Sequence, residues 1–454
     1  MQFHVLSFEG PDPYARAGGI ASRIQGLVDA LAKAGHDTHL WLVGDPTLPG
    51  VERVGPNLWL HRWCQWISAH HPGGVYDGED GKERDFAASL PPYLMREHLV
   101  PELARGRRVA VLAEEWHTAH AVLHLSWLLE CAGLRDRVDI LWNANNTFGF
   151  ERIDWERLSK AATVTTVSRY MRQRMWGLGV DPIVIPNGLG PEAYARASYA
   201  QVRRLREQLA DRAILSKVAR WDPDKRWIHA MRSVAELRRR GAKPLLIARG
   251  GAEAHGWEVL SCASQLGLRI GERAAPRTGA SGLIEVLGGC QELDVVVLTS
   301  HVDAAARRVL FRGADAVLAN SAHEPFGLVG LEAMAAGGIA CTGGTGEDYV
   351  IPGRNALVLQ TEDPAEFWNL FARLRADPRA DSELRRAARR SSLDFAWPEV
   401  LRGNLLPRLG IPTEPGTGAA ARRSLVLSAL AKRKLPLVTD LRSTGHDVAA
   451  RSYA

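Results

Sequence analysis

The sequence predicts an α/β protein made of two parallel-sheet domains that face one cleft. Three observations lead there. A length of 454 residues exceeds what one ordinary core fills and suits two domains of roughly 200 residues each. Short apolar runs alternate with stretches of helical period through both halves, the pattern of neighbouring parallel strands with helices on both faces. The alternation breaks at Pro186-Asn187-Gly188-Leu189-Gly190-Pro191, a run of turn residues that marks a hinge.

In chain order, the first apolar run at 3–8 is a strand. The segment 20–34 is a helix, with Ile20, Ile24, Leu27, Val28 and Leu31 on one face. Strands follow at 38–44, 109–113, 138–142, 163–167 and 182–185. Residues 45–105 are less regular, with His70-His71-Pro72-Gly73-Gly74 and an acidic stretch at 77–85; they read as an inserted surface loop, either choosing an acceptor or a plain excursion. Beyond the hinge, strands are expected at 213–219, 244–248, 293–298, 316–319, 339–342 and 356–359. Two Rossmann-like domains result, 1–187 and 188–394, and ligands of such sheets bind beyond the carboxyl ends of the strands. After Trp397-Pro398 a last helix runs to about residue 409. The tail, 411–454, opens on the linker-like Glu414-Pro415-Gly416-Thr417-Gly418; its segment 424–434 reads as a short basic helix or an unstructured end, with membrane-surface contact a less favoured use.

Composition narrows the classes of function. At 46% apolar and 24% charged residues the chain is a globular protein. It lacks an apolar run of the roughly 18 residues that span a bilayer. The start carries no basic leader, so cytoplasm is the default. The five cysteines show no C-x-x-C spacing, which argues against zinc and against a disulfide framework. Of the net charge of +6, residues 411–454 supply +4, seven Lys/Arg against three Asp/Glu, which leaves no broad basic surface for nucleic acid.

The chemistry concentrates in His323-Glu324-Pro325-Phe326-Gly327-Leu328-Val329-Gly330-Leu331-Glu332-Ala333-Met334. Gly327 and Leu328 fall where a helix begins, so free N–H groups and the helix dipole favour a phosphate there. Glu332 lies five residues on, roughly 7.5 Å at about 1.5 Å per residue, about the reach from a diphosphate to its ribose. Glu324, on the preceding loop, faces whatever the other end of the diphosphate carries. A nucleotide-sugar fills all three positions.

This segment resembles the E-x7-E motif of retaining glycosyltransferases of the GT-B fold, the superfamily of glycogen and starch synthases and many bacterial sugar transferases. The resemblance extends over roughly residues 1–410. Arg16-Ala17-Gly18-Gly19-Ile20 is similar to the K-x-G-G-L loop of glycogen synthases, with Arg16 in place of lysine; its glycines admit a close ligand and its helix start favours an anion. Ala219-Arg220-Trp221-Asp222-Pro223-Asp224-Lys225 looks like the family's G-R-x-x-x-x-K segment, which makes Arg220 and Lys225 cations for the departing diphosphate. Asn145 or Asn146 is a donor to sugar hydroxyls or a turn residue. Ala113-Glu114-Glu115-Trp116-His117 keeps the register of A-H-D-W-H, but Glu114 replaces the histidine that lies close to the donor sugar, so Glu114 is expected beside that sugar with His117 as the alternative carrier of the role.

The resemblance implies a retaining, metal-independent transferase with no cofactor other than its co-substrate, an ADP- or UDP-hexose favoured, and a carbohydrate or other hydroxyl acceptor. It implies a C-terminal helix, 395–410, crossing back onto the first domain. A nucleotide-sugar epimerase and a non-catalytic nucleotide-sugar binder are the rival readings.

Overall fold

The computed structural model describes residues 1–413; the expected linker and basic helix of the tail lie outside them. The first sheet takes β1 (Gln2–Leu6), β2 (Asp37–Val43), β3 (Val51–Gly55), β4 (Leu58–Trp63), β5 (Val109–Glu114), β6 (Val138–Ala144), β7 (Thr163–Thr166) and β8 (Ile183–Val184) in the order β3-β4-β2-β1-β5-β6-β7-β8. All its neighbours are parallel except the edge pair β3 and β4. The second sheet, wholly parallel, takes β9 (Ala213–Val218), β10 (Pro244–Arg249), β11 (Ile270–Arg273), β12 (Val295–Leu298), β13 (Ala316–Ala319), β14 (Ala340–Thr342) and β15 (Leu357–Val358) in the order β11-β12-β10-β9-β13-β14-β15. Among the described residues no helix is long and apolar enough to cross a membrane, and all five cysteines are free thiols.

The helix Gly19–Lys33 buries Ile24, Leu27, Val28 and Leu31 against Phe3, Val5 and Leu40. Val400, Leu401 and Leu405 of the last helical stretch join the same cluster, so the C-terminal segment packs on the first domain. Trp397 lies flush on two glycines there: a Cβ at Gly26 would sit 2.0 Å from its Nε1, and one at Gly188 2.5 Å from its ring. The two crossings between sheets run side by side, Leu189 N–H donating to Phe395 O (2.8 Å) and Trp397 N–H to Leu189 O (3.1 Å).

Residues 45–105 are not the loop that was expected. They hold β3, β4 and a long helix, Glu79–Leu94, whose acidic first turn complements the helix dipole. Pro91 and Pro92 lie within it. Pro91 has no N–H for Ala87 O, and His124 Nδ1–H takes that carbonyl at 2.9 Å. A wider turn, Met95–Leu99, follows. β4 carries Arg62 and His61 in place of an apolar run because Arg62 is satisfied inside and His61 is held there through Nε2, its Nδ1 buried without a partner among the described residues. Arg62 grips Asp12 (2.7 and 3.0 Å) and Glu52 (2.7 Å). His61 ends a chain in which Trp41 Nε1–H donates to His4, His4 to Gln2, Gln2 to His39, and His39 Nδ1–H to His61 Nε2 at 2.9 Å. Burial lowers the pKa of all three imidazoles, His39 to about 4 and His61 to about 3. Ring atoms of His4, His39 and His98 lie within 4.8 Å of one another, but these bonds already engage both nitrogens of His4 and of His39.

Candidate active site

Loops at the carboxyl ends of β9 and β13 bring the expected residues together. After β9, Asp222 accepts from Asp224 N–H, Pro223–Lys225 forms a single 3₁₀ turn, and Arg226 takes a left-handed conformation (φ 51°) that starts the next helix. Asp224 O accepts from Ala322 N–H at 2.8 Å, tying this loop to the one after β13. Lys225 Nζ consequently meets Glu324 Oε2 at 2.8 Å, both side chains about one-fifth exposed (22% and 19%). Beneath them Lys217 of β9 is fully buried, its Nζ donating to Leu318 O (3.1 Å) and Asn320 Oδ1 (2.7 Å). Burial, then Lys225, brings its pKa down to about 7. Arg220 shares the loop but not the ion pair: its side chain is 67% exposed, and its ion-pair partner among the described residues is Asp222, at 3.9 Å.

Two helix starts face this region, and they differ. Leu328–Ala335 begins at Gly327 (φ 83°) with no side-chain cap, so its first N–H groups point at whatever binds there. Only glycine fits at Gly327, where a Cβ would come within 2.9 Å of Glu347 and of the Tyr349 hydroxyl. Glu332, one turn on, is half-buried with Arg307 at 3.3 Å. Burial raises its pKa while Arg307 opposes the rise. The start of Gly19–Lys33 is already occupied: buried Glu9 accepts from Gly18 N–H and Ala21 N–H, both at 3.0 Å, and from the Tyr76 hydroxyl at 2.6 Å. Gly18 therefore spends its N–H on the protein's own carboxylate, a correction to the expectation that it awaits an anion. Gly19 stands opposite the other helix start, its Cβ position 3.7 Å from Leu328 of the other domain. Arg16 is exposed and donates to Pro11 O. A second interdomain contact joins Arg169 to Asp348, through backbone (2.8 Å) and Nε (2.9 Å).

The wall formed by the first domain departs most from expectation. Glu114, expected beside the donor sugar, is 2% exposed with its carboxylate taken up by protein donors. Arg23 holds it through Nε (3.1 Å) and Nη2 (3.2 Å), and Asn143 and Asn145 donate to Oε2 at 2.9 and 2.8 Å. A buried guanidinium needs a counter-charge, and Glu114 supplies it. The next residue has the unusual backbone: Glu115 stands at φ 68°, its Oε1 accepting from Asn145 N–H at 2.8 Å. Such non-glycine strain costs on the order of 1–3 kcal/mol and gathers at functional sites. Burial pushes the Glu115 carboxyl up to about 8, Asn145 opposing and Glu114 and Glu9 adding. His117 donates Nε2–H to Glu79 (2.6 Å) and stacks between Phe8 and Trp116, which leaves Nδ1 buried without a partner. Burial outweighs Glu79 in setting its pKa, which is lowered. Asn146 accepts from Phe148 N–H in a turn, while Asn145 spends its side chain on Glu114 and Asn143.

Protonated Glu115 makes a checkable prediction. The folded state holds this proton from about pH 4.5 to about 8, where the unfolded chain has lost it, so the residue's contribution to stability falls as pH rises through that window. Glu115→Gln should therefore gain on the wild type between pH 5.5 and pH 8.5, by on the order of 3 kcal/mol in urea unfolding. A constant difference between the two proteins would contradict the assignment.

One segment of the site went unread in the sequence. Gly343-Gly344-Thr345-Gly346-Glu347 follows β14 and clamps the Glu324 loop: Thr345 Oγ1 accepts from Glu324 N–H (2.9 Å), and Gly346 N–H donates to Glu324 O (2.9 Å). A Cβ at Gly346 would lie 2.2 Å from the carbonyls of Glu324 and Pro325. Glu347 is buried beside Gly327, with Oε2 on Thr345 N–H and Oε1 unpartnered. Burial, reinforced by Glu324, takes its pKa to about 7. A glycine-rich run directly after a strand was the available signal.

Comparison with known proteins bears on both halves. Residues 17–193 match the family model described as Glycosyltransferase Family 4, and residues 204–391 that described as Glycosyl transferases group 1. Glycogen synthases of two Mycobacterium tuberculosis strains, CDC 1551 / Oshkosh and ATCC 25618 / H37Rv, are 39% identical over 104 residues, 22% of this chain. The match spans only a quarter (25%) of these relatives' length. Sucrose-phosphate synthase from Thermosynechococcus elongatus superposes with a TM-score of 0.61 at 19% identity, covering 95% of this chain and 100% of that one. The catalytic domain of starch synthase IV from Arabidopsis thaliana, bound to ADP and acarbose, gives 0.59 at 17%, covering 95% and 99%. Anabaena HepE in complex with UDP and glucose gives 0.57 at 17%, covering 90% and 99%. At these identities the likeness is one of fold.

Proposed function

The chain belongs to the GT-B glycosyltransferases, and on that premise we propose that it moves a sugar from a nucleoside-diphosphate sugar to a hydroxyl acceptor, retaining the anomeric configuration and needing no metal ion. The observation that carries this reading is the Lys225–Glu324 pair set just ahead of an uncapped helix start, with Gly19 of the other domain against Leu328. The donor diphosphate lies on the N–H groups at Leu328, with Lys225 and Arg220 over its oxygens; Arg220 is free to swing in. Glu332 accepts from the ribose hydroxyls. Glu324, drawn off Lys225 as that lysine turns to the diphosphate, accepts from the sugar. The bond from the anomeric carbon to the phosphate oxygen breaks as the acceptor oxygen bonds to that carbon on the same face, and the acceptor proton passes to the departing phosphate. Fixed cations stabilise the charge that grows there, and domain closure excludes water. An ADP- or UDP-hexose is the favoured donor, since solved structures of the same fold hold ADP or UDP.

The test is a panel of nucleotide-sugars, ADP-glucose and UDP-glucose first, assayed with hydroxyl acceptors in the presence and absence of EDTA. Transfer with the α-configured product, unaffected by EDTA, is the expected result. A strict Mg²⁺ requirement, or isomerised nucleotide-sugar formed without an acceptor, would contradict the proposal. The two glutamates separate in the same assay: Glu332→Gln should chiefly weaken nucleotide binding, and Glu324→Gln chiefly lower turnover. Equal effects on nucleotide affinity would show the roles misassigned.

A further inference from the structure

A cavity of about 720 Å³ opens at the C-terminal end of the helix Leu328–Ala335. Arg196, Arg312, Arg385, Arg386, Arg389 and Arg390 line it, against a single acid, Asp381. Three of these arginines have structural work. Arg312 donates to Gly337 O (3.1 Å), Arg385 to Ala314 O (3.0 Å) and to Asp381 (2.9 Å), and Arg389 to Ala335 O and to Tyr194 O (2.7 Å). They cap the carbonyl ends of the helices Ala304–Gly313 and Leu328–Ala335, where cations belong. Capping does not account for the other three. Arg196, Arg386 and Arg390 have no hydrogen-bonded or ion-paired partner among the described residues. Like charges crowd one another here, and the Arg312 guanidinium shows it: burial, then Arg385, lowers its pKa, and Arg389 adds to this against Asp381.

We propose that this cavity is a binding site for a phosphorylated small molecule, separate from the donor site. The free guanidiniums match phosphate oxygens bidentately, and the volume exceeds what inorganic phosphate fills, leaving room for an organic body. Its position gives binding a route to the rest of the molecule. Arg389 holds the C-terminal end of the helix whose N-terminal end receives the donor, and it holds Tyr194, whose hydroxyl donates to Ser392 O (2.7 Å), next to the interdomain crossings. Occupation should therefore change the affinity for nucleotide, a consequence that rests on the function proposed above.

Calorimetric titration of the full chain, in chloride buffer, with inorganic phosphate, pyrophosphate and a hexose monophosphate tests the site. The expected result is binding of the hexose monophosphate more tightly than inorganic phosphate. It should be retained in Lys225→Ala and weakened at least tenfold in the double variant Arg386→Ala/Arg390→Ala, whose lost side chains cap nothing. Absence of binding, equal binding in the double variant, or loss of binding in Lys225→Ala would overturn the site; equal affinity for inorganic phosphate would overturn the organic ligand. For the coupling, the Kd of UDP or ADP should shift severalfold at saturating hexose monophosphate in the wild type but not in the double variant. An unchanged Kd would overturn the link to the donor helix. The titration without nucleotide stands whether or not the chain transfers sugar.

Discussion

Replacing Lys225 with alanine should lower the rate of sugar transfer by about a hundred- to a thousandfold, the usual loss when a charge-stabilising donor is removed from a developing anion. The lysine sits 2.8 Å from Glu324 in a loop closed by Asp222 and by the Asp224–Ala322 bond. An alanine there leaves a negative Glu324 facing a negative diphosphate, so the loss combines missing attraction with added repulsion. The fold should survive, because the abandoned carboxylate is partly open to water. Arg220→Ala should cause a loss of similar order without destabilisation, since that side chain is two-thirds exposed and bears on no core. Single-turnover rates at saturating donor separate chemistry from binding. Near-normal rates in either variant would end the clamp assignment.

Glu114→Gln should damage the protein differently. The carboxylate is the counter-charge of buried Arg23, whose other partners among the described residues are Asn187 Oδ1 (2.6 Å) and the face of Trp397 (5.6 Å to the ring centroid). Breaking a buried pair by neutralising one partner costs about 3–5 kcal/mol, which for a domain of this size lowers Tm by roughly 10 °C. The loss reaches the hinge, because Trp397 packs on Gly26 and Gly188 at the crossing. Glu115→Gln, one residue along, removes little at neutral pH, where that carboxyl is already mostly protonated. Comparing the melting temperatures of the two variants decides the matter. A stable Glu114→Gln with an altered donor preference would return Glu114 to the sugar.

What the sequence made legible follows from how each residue is satisfied. Strands buried on both faces, such as β1 and β5, announce themselves as apolar runs, and the Glu324 segment carries its chemistry within a dozen consecutive residues. β4 did not show because His61 and Arg62 are buried polar groups whose partners, His39, Asp12 and Glu52, are distant in sequence. β3 is an exposed edge strand with no apolar face to read. The same reason explains Glu114 and Gly18. Register alone places Glu114 at the end of β5, but which side of the strand holds Arg23, and that Glu9 caps the helix start, depend on contacts between segments far apart in the chain.

The most direct test of the central claim is a crystal structure of the chain with the nucleoside diphosphate of its best donor. The account predicts the diphosphate on the N–H groups at the start of Leu328–Ala335, Lys225 and Arg220 within hydrogen-bonding distance of its oxygens, and the ribose hydroxyls on Glu332. Nucleotide bound elsewhere, or bound here with Lys225 still paired to Glu324 and Arg220 still turned to solvent, would contradict it.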